Sequence, residues 1–257
     1  MMKIRGLLDP GHYGSKVNHS PVVPDYYESN MTWVLAHELK AALERYGFEI
    51  DLTRKTKNEN PSLSKRGKKS KGYDFFISLH SDAASTESAD HVSVFYPLDG
   101  RNNSETLAAN LSAAIAEVMG VSKGKVKTKA EKDDPATEYY GVMEGAQKAN
   151  CPHYYIVEHS FHTNKKAATW LLDPANLQRL AEVEAAIIAA FFDMDDPINC
   201  DMDGDGKLTA TDAEIVRLAV MGRITLCEEL EEMADVNGDG KVTAADYAKI
   251  KSAVLKK

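Results

Sequence analysis

Between residues 201 and 246 one twelve-residue pattern occurs twice, as DMDGDGKLTATD from Asp201 and DVNGDGKVTAAD from Asp235, at a period of 34 residues. Such a turn crowds side-chain oxygens together, and crowded carboxylates repel unless a cation sits among them. A calcium loop asks for oxygen ligands at positions 1, 3 and 5, a backbone carbonyl at 7, a hydroxyl or water at 9, a carboxylate at 12, and glycine at 6 for the sharp turn. The first copy offers Asp201, Asp203, Asp205, the Lys207 carbonyl, Thr209 and Asp212, with Gly206. The second offers Asp235, Asn237, Asp239, the Lys241 carbonyl, Thr243 and Asp246, with Gly240. Six ligand positions that agree twice make the pattern specific, and two structural Ca2+ ions per chain are expected.

These loops depart from the ordinary EF-hand. Position 12 holds aspartate where a bidentate glutamate is usual, and Pro197 forbids a full helix entering the first loop. The pair resembles a type I dockerin, the duplicated calcium module that docks onto a cohesin domain of a bacterial scaffold protein, and the resemblance covers residues 199–257. It implies a small all-α module and a cohesin partner. The partner would be read by the residues just before loop position 12 and by a basic position on the following helix. Those positions hold Ala210 and Thr211 in one copy and Ala244 and Ala245 in the other, followed by Arg217 and Lys251; the alanine pair replaces the common Ser-Thr. Cys200 and Cys227 leave two readings open, a clamp across the module or two unpaired thiols.

The repeat leaves most of the 257 residues for a second, larger domain. Hydrophobic residues make up 43% and no apolar stretch approaches the ~20 residues that cross a bilayer, so a globular chain without a membrane span is expected. The net charge is −8, with 13 acids against 8 bases after residue 195 and 26 against 23 before it, a balance that excludes a nucleic-acid binder. Three scattered cysteines exclude a disulfide framework and a Cys-based zinc site. The first thirty residues show no secretory leader, so action at the bacterial cell wall would need a holin-type phage route or a leader outside this sequence.

Short apolar or β-branched runs at Lys3–Leu8, Phe48–Leu52, Phe75–Leu79, Val92–Tyr96 and Tyr154–Val157 predict strands, with Gly124–Thr128 a weaker candidate. Between them Met31, Val34, Leu35, Leu39, Ala42 and Leu43 recur at helical spacing and stop at Gly47, and similar patterns cover 104–119 and 177–192. Alternating strands and helices predict an α/β domain over 1–192, a mostly parallel twisted sheet flanked by helices. An acid- and Pro-containing linker over 193–198 and the calcium module over 199–257 follow.

Four chemistry-bearing residues fall at equivalent places in that scheme. His12 follows the first strand in LLDPGHYG, His80 ends FISLH, Glu158 ends YYIVE, and Glu28 opens the helix after the first strand. In an open parallel sheet these places lie along one edge, where ligands bind. Glu28 also shares a helix face with Met31 and Leu35, which turns its carboxylate inward. Two imidazoles and a carboxylate suit a catalytic zinc whose fourth position holds water, and zinc lowers the pKa of that water to about 7. Glu158 is placed to take the water's proton and pass it to a leaving nitrogen. No HExxH motif is present, so the residues alone leave a second reading open, in which the histidines are hydrogen-bonded strand ends and Glu28 serves the helix dipole.

LDPGHYG, the helix-opening Glu28, ISLHSDAA from Ile77 and VEHSFHTN from Val157 together resemble the zinc-dependent N-acetylmuramoyl-L-alanine amidases of the amidase-3 family, across essentially all of 1–192. The resemblance implies His12, Glu28 and His80 as zinc ligands, Glu158 as catalytic acid/base, and peptidoglycan as substrate. The scissile bond would be the amide joining N-acetylmuramic acid to the L-alanine of the stem peptide. Arg66 matches a family arginine, while Asp82 and Ser160 stand where the family usually has asparagine and glycine. His159 and His162 flank Glu158 and, with Arg66, are candidates for substrate contact; His19, His37, His91 and His153 read as surface or packing residues. Two other functions remain open: a non-catalytic wall-binding protein, and a zinc peptidase acting on another peptidoglycan amide.

Overall fold

The apolar runs become six strands of one sheet: β1 (Arg5–Pro10), β2 (Glu49–Leu52), β3 (Phe75–Asp82), β4 (His91–Phe95), β5 (Ser122–Lys127) and β6 (His153–Phe161). They lie in the order β2-β1-β3-β6-β4-β5 in a computed structural model that describes residues 3–194 and 200–256. Strands β2, β1, β3 and β6 run parallel, as expected. The pair β4 and β5, parallel to each other, runs antiparallel to β6.

Strand alternation sends side chains to two faces, and each face has its own core. Leu8, Ile77, Val94 and Val157 pack under α1 (Glu28–Arg45), α3 (Ser104–Met119), α5 (Lys165–Leu172) and α6 (Pro174–Phe191). Leu7, Phe76, Phe95, Tyr154 and Ile156 pack under α4 (Gly141–Lys148). The short α2 (Leu63–Lys68), α4 and α5 carry too few turns for a periodic apolar pattern and were not expected from sequence.

Helices α2 and α4 meet backbone to backbone. A Cβ added at Gly67 would lie 1.9 Å from the Val142 carbonyl oxygen, and one at Gly145 would lie 2.4 Å from that of Ser64. No rotamer relieves a clash between backbone atoms. Gly67→Ala is therefore expected to destabilise residues 3–194 by about 3 kcal/mol, a fall of about 6–12 °C in melting temperature. An unchanged melting temperature would show that the two helices do not pack this closely.

The chain divides into two units, Met1–Asp195 and Asp196–Lys257. Residues 195–198 of the expected linker, Pro197 among them, lie outside the described residues. The second unit is all-α, with α7 (Ala210–Val220), α8 (Glu228–Ala234) and α9 (Ala244–Lys256). Its small core gathers Cys200, Met202, Leu208, Ala213, Val216, Ala234 and Ile250. Cys200 is buried and Cys227 exposed, and both are free, so no disulfide clamps the unit.

Candidate metal and catalytic centre

The loop after β1 folds back over β3. Gly11 permits this approach, since a Cβ there would lie 2.4 Å from the His80 ring and 2.6 Å from the Leu79 carbonyl oxygen. His12 follows with a φ of 60°, a left-handed conformation that a residue with a side chain adopts only when its surroundings impose it. Arg66 imposes it, donating to the carbonyl oxygens of His12 (2.8 Å) and Pro10 (3.3 Å) from a buried position beside Asp9. Thr32 of α1 adds a hydrogen bond to the Gly11 carbonyl at 2.8 Å.

Glu28, 1% exposed, lies beneath two imidazoles. His12 Nε2 is 3.1 Å from its Oε2 and His80 Nδ1 is 2.9 Å from its Oε1; the Ser81 backbone N–H donates to Oε1 at 3.0 Å and Asn18 Nδ2 donates to Oε2. Burial raises the Glu28 carboxyl, but hydrogen bonds and charge from His12 and His80 outweigh it and hold the group well below the usual carboxylate range. Burial likewise lowers His80, and Glu28 reverses this and pushes it up to about 9. One donor atom from each of His12, Glu28 and His80 falls within 4.8 Å of the other two. Two imidazole nitrogens and a buried carboxylate form a donor set that fits a divalent ion such as zinc, and both rings are partly open to solvent.

Glu158 pairs in register with His80 across β3 and β6, and on its other side with Ser93 of β4. Its Oε2 is buried and has no hydrogen-bond partner, which costs free energy in any role confined to structure. Burial, with Glu28 and Asp82 nearby, pushes its carboxyl up to about 7. Tyr140, half-buried against Phe95, faces this group; burial and the carboxylates of Glu158 and Asp82 push its hydroxyl up to about 12. Asp133 and Asp134 are exposed, and Asp134 accepts from Thr137.

The three residues expected to touch substrate, Arg66, His159 and His162, are buried. Arg66 donates to the carbonyl oxygens of Pro61, Pro10 and His12. His159 is fully buried: one ring nitrogen donates to the His80 carbonyl at 2.9 Å and the other meets Glu184 of α6 at 2.9 Å. Burial opposes its charge, but the Glu184 carboxylate raises it. His162 stacks on Tyr26 and bonds Ser81 at 3.0 Å. Asn18 and Glu184 went unread in the sequence. Glu184 left a signal there, lying on the apolar stripe of Leu177, Leu180, Ala181 and Ile188. Ser160 occupies a bulge of β6 between the pairs His80–Glu158 and Asp82–Phe161, with a φ of 58°. A left-handed position of this kind favours glycine, the residue usual there in the family that the motifs resemble.

In the second unit Asp201, Asp203 and Asp205 converge, with side-chain oxygens within 4.8 Å of one another. Lost hydration and the neighbouring carboxylates raise Asp203. Asp212 is buried and accepts from the backbone N–H groups of Met202 (2.7 Å), Asp203 (3.3 Å) and Thr209. Asp246 accepts likewise from Asn237 (3.2 Å) and Thr243 (2.8 Å). Each position-12 aspartate thus ties the head of its loop to the helix that follows, and in the first loop the carboxylates of Asp201, Asp203 and Asp205 face one another, a donor set that fits a hard cation such as Ca2+.

Residues 7–190 match the family model described as N-acetylmuramoyl-L-alanine amidase, and residues 199–255 match the model of the dockerin type I domain. Two proteins from strains of Staphylococcus epidermidis, each named probable cell wall amidase LytH, are 38% and 37% identical over 110 residues, 42% of this chain. The chain spans about a third of the length of these curated relatives. An N-acetylmuramoyl-L-alanine amidase from Clostridium difficile 630 superposes with a TM-score of 0.63 at 19% identity, covering 74% of this chain and 97% of its own. The catalytic domain of CwlV, from Bacillus (Paenibacillus) polymyxa var. colistinus, gives 0.59 at 18%, covering 76% and 100%. These solved structures share the fold.

Proposed function

Because the chain belongs to the N-acetylmuramoyl-L-alanine amidase family over residues 7–190 and carries a type I dockerin domain over 199–255, we propose that it is a zinc-dependent peptidoglycan amidase. It would cleave the bond between N-acetylmuramic acid and the L-alanine of the stem peptide, at a bacterial cell wall. The observation that carries this reading is the convergence of His12, Glu28 and His80 beside a buried carboxylate, Glu158, that has an unpartnered oxygen.

His12, Glu28 and His80 would hold a zinc ion, and the chemistry it would supply there is Lewis-acid polarisation of the scissile carbonyl and a nucleophilic water near neutral pH. The residues do the rest. The Ser81 backbone N–H holds Glu28, and Arg66 holds the His12 backbone. Glu158 Oε2 accepts the proton of the attacking water as the C–O bond forms, then returns it to the amide nitrogen as the C–N bond breaks. The products are a muramic acid carboxylate and a peptide with a new L-alanine amino terminus.

The dockerin domain supplies attachment. Two Ca2+ ions would hold the loops at Asp201 and Asp235, and a cohesin domain of a scaffold protein is the proposed partner. Among the described residues no helix is long and apolar enough to cross a membrane.

Mass spectrometry of fragments released from purified peptidoglycan tests the reaction. Peptides beginning at L-alanine are expected, with release abolished by chelation; fragments cut within the stem or crosslink would replace the amidase reading with a peptidase one. His80→Ala is expected to lose zinc, and full activity with stoichiometric zinc in that variant would overturn the ligand assignment.

A further inference from the structure

The register of four strands places His80, Glu158, Ser93 and Lys125 in one row on one face of the sheet, and Lys127 on the same face one pair further along. Neighbouring strands lie roughly 4.8 Å apart, so Ser93 stands about one strand beyond Glu158, on the side away from His80. The Lys127 ammonium reaches back to this point and donates to Ser93 Oγ at 3.2 Å. Ser93 is buried and Lys127 half-buried, its ammonium also 5.5 Å from the centre of the Phe95 ring.

This ammonium lacks a countercharge: among the described residues no carboxylate pairs with Lys127. An ammonium has three donors, and Ser93 uses one. A partly desolvated cation with free donors, one strand from a catalytic carboxylate, is placed to bind an anion brought by the substrate. The direction of the row says which part brings it. With the scissile carbonyl at the His12, Glu28, His80 end and the leaving nitrogen at Glu158, whatever is attached to that nitrogen extends over Ser93. An extended peptide advances about 3.4 Å per residue, which brings the residue after the L-alanine to the ammonium.

We propose that Lys127, held by Ser93, binds a carboxylate on the peptide side of the scissile amide and makes the enzyme selective for stem peptides that carry a free acid on the residue following L-alanine. The proposal rests on the amidase reading, and the test separates the two. Two soluble muramoyl tripeptides would be compared on the full-length, zinc-loaded chain. They differ only in whether the off-chain carboxyl of the second residue is free or a carboxamide. The native chain is expected to favour the acid by about tenfold in kcat/KM, expressed in KM, with the preference shrinking at high salt. In Lys127→Met the ratio should collapse to about one, Lys127→Glu should invert it, and Lys127→Arg should restore it. Equal rates for the two substrates in the native chain, or a preference that survives in Lys127→Met, would overturn the proposal while leaving the amidase reading intact. Failure of the native chain to cleave either substrate would overturn the amidase reading and this proposal with it.

Discussion

Replacing Glu158 by glutamine is expected to lower turnover by roughly two to four orders of magnitude while zinc remains bound at full stoichiometry. The two effects separate because Glu158 is not among the residues whose donor atoms converge on the cation site, yet it lies in register beside one of them. Glutamine keeps the volume and one oxygen, so packing against β4 is preserved and only proton transfer at Oε2 is removed. The pH profile gives a second readout. Burial, with Glu28 and Asp82, pushes the carboxyl up to about 7, and a cation at His12, Glu28 and His80 pulls it back down. The base must be deprotonated, so the acid limb of kcat/KM should rise with pH through a midpoint below 7 in the native enzyme and vanish in Glu158→Gln. Near-normal turnover in the zinc-loaded variant would remove Glu158 from the mechanism.

The positions of these groups were legible because strand ends and helix starts share an edge of a parallel sheet, so four residues distant in sequence could be placed together before any coordinate was known. Period-2 alternation also bears on their neighbours. If Glu158 faces the site, His159 must face the opposite side, and there it meets Glu184 beneath α6. Proximity in sequence to Glu158 does not put His159 on the same face of the sheet. The burial of Arg66 left no such signal: α2 has only six residues, and its inward direction depends on the close contact of Gly67 with α4. The reversed direction of β4 and β5 left no trace in composition or periodicity, since a buried strand reads the same both ways. That reversal brings Ser93 beside Glu158 and the lysines of β5 beside β4, a juxtaposition visible only in the fold.

Removing calcium is expected to unfold the dockerin domain while leaving the larger unit intact. The core of residues 200–256 consists of seven buried apolar residues, two of them alanine, too little to offset the ordering of a chain of this length. Carboxylates of Asp201, Asp203 and Asp205 repel one another when nothing sits between them. Calcium reverses this balance. A site at a hundred times its dissociation constant adds about 2.7 kcal/mol, so two add about 5 kcal/mol, comparable to the whole stability of so small a domain. Calorimetry of the full-length chain should therefore show one unfolding transition after the chelator has been removed into calcium-free buffer containing zinc, and two in millimolar calcium. Titration should saturate at two ions per chain, with a gain of helix. Asp201→Ala combined with Asp235→Ala should keep the chelated profile at every calcium concentration and lose any cohesin binding. Hydrolysis of soluble muropeptides should persist, because residues 3–194 carry their own core and their own cation site. A heat-capacity profile that does not change from zero to millimolar calcium would overturn both the calcium assignment and the docking role built on it.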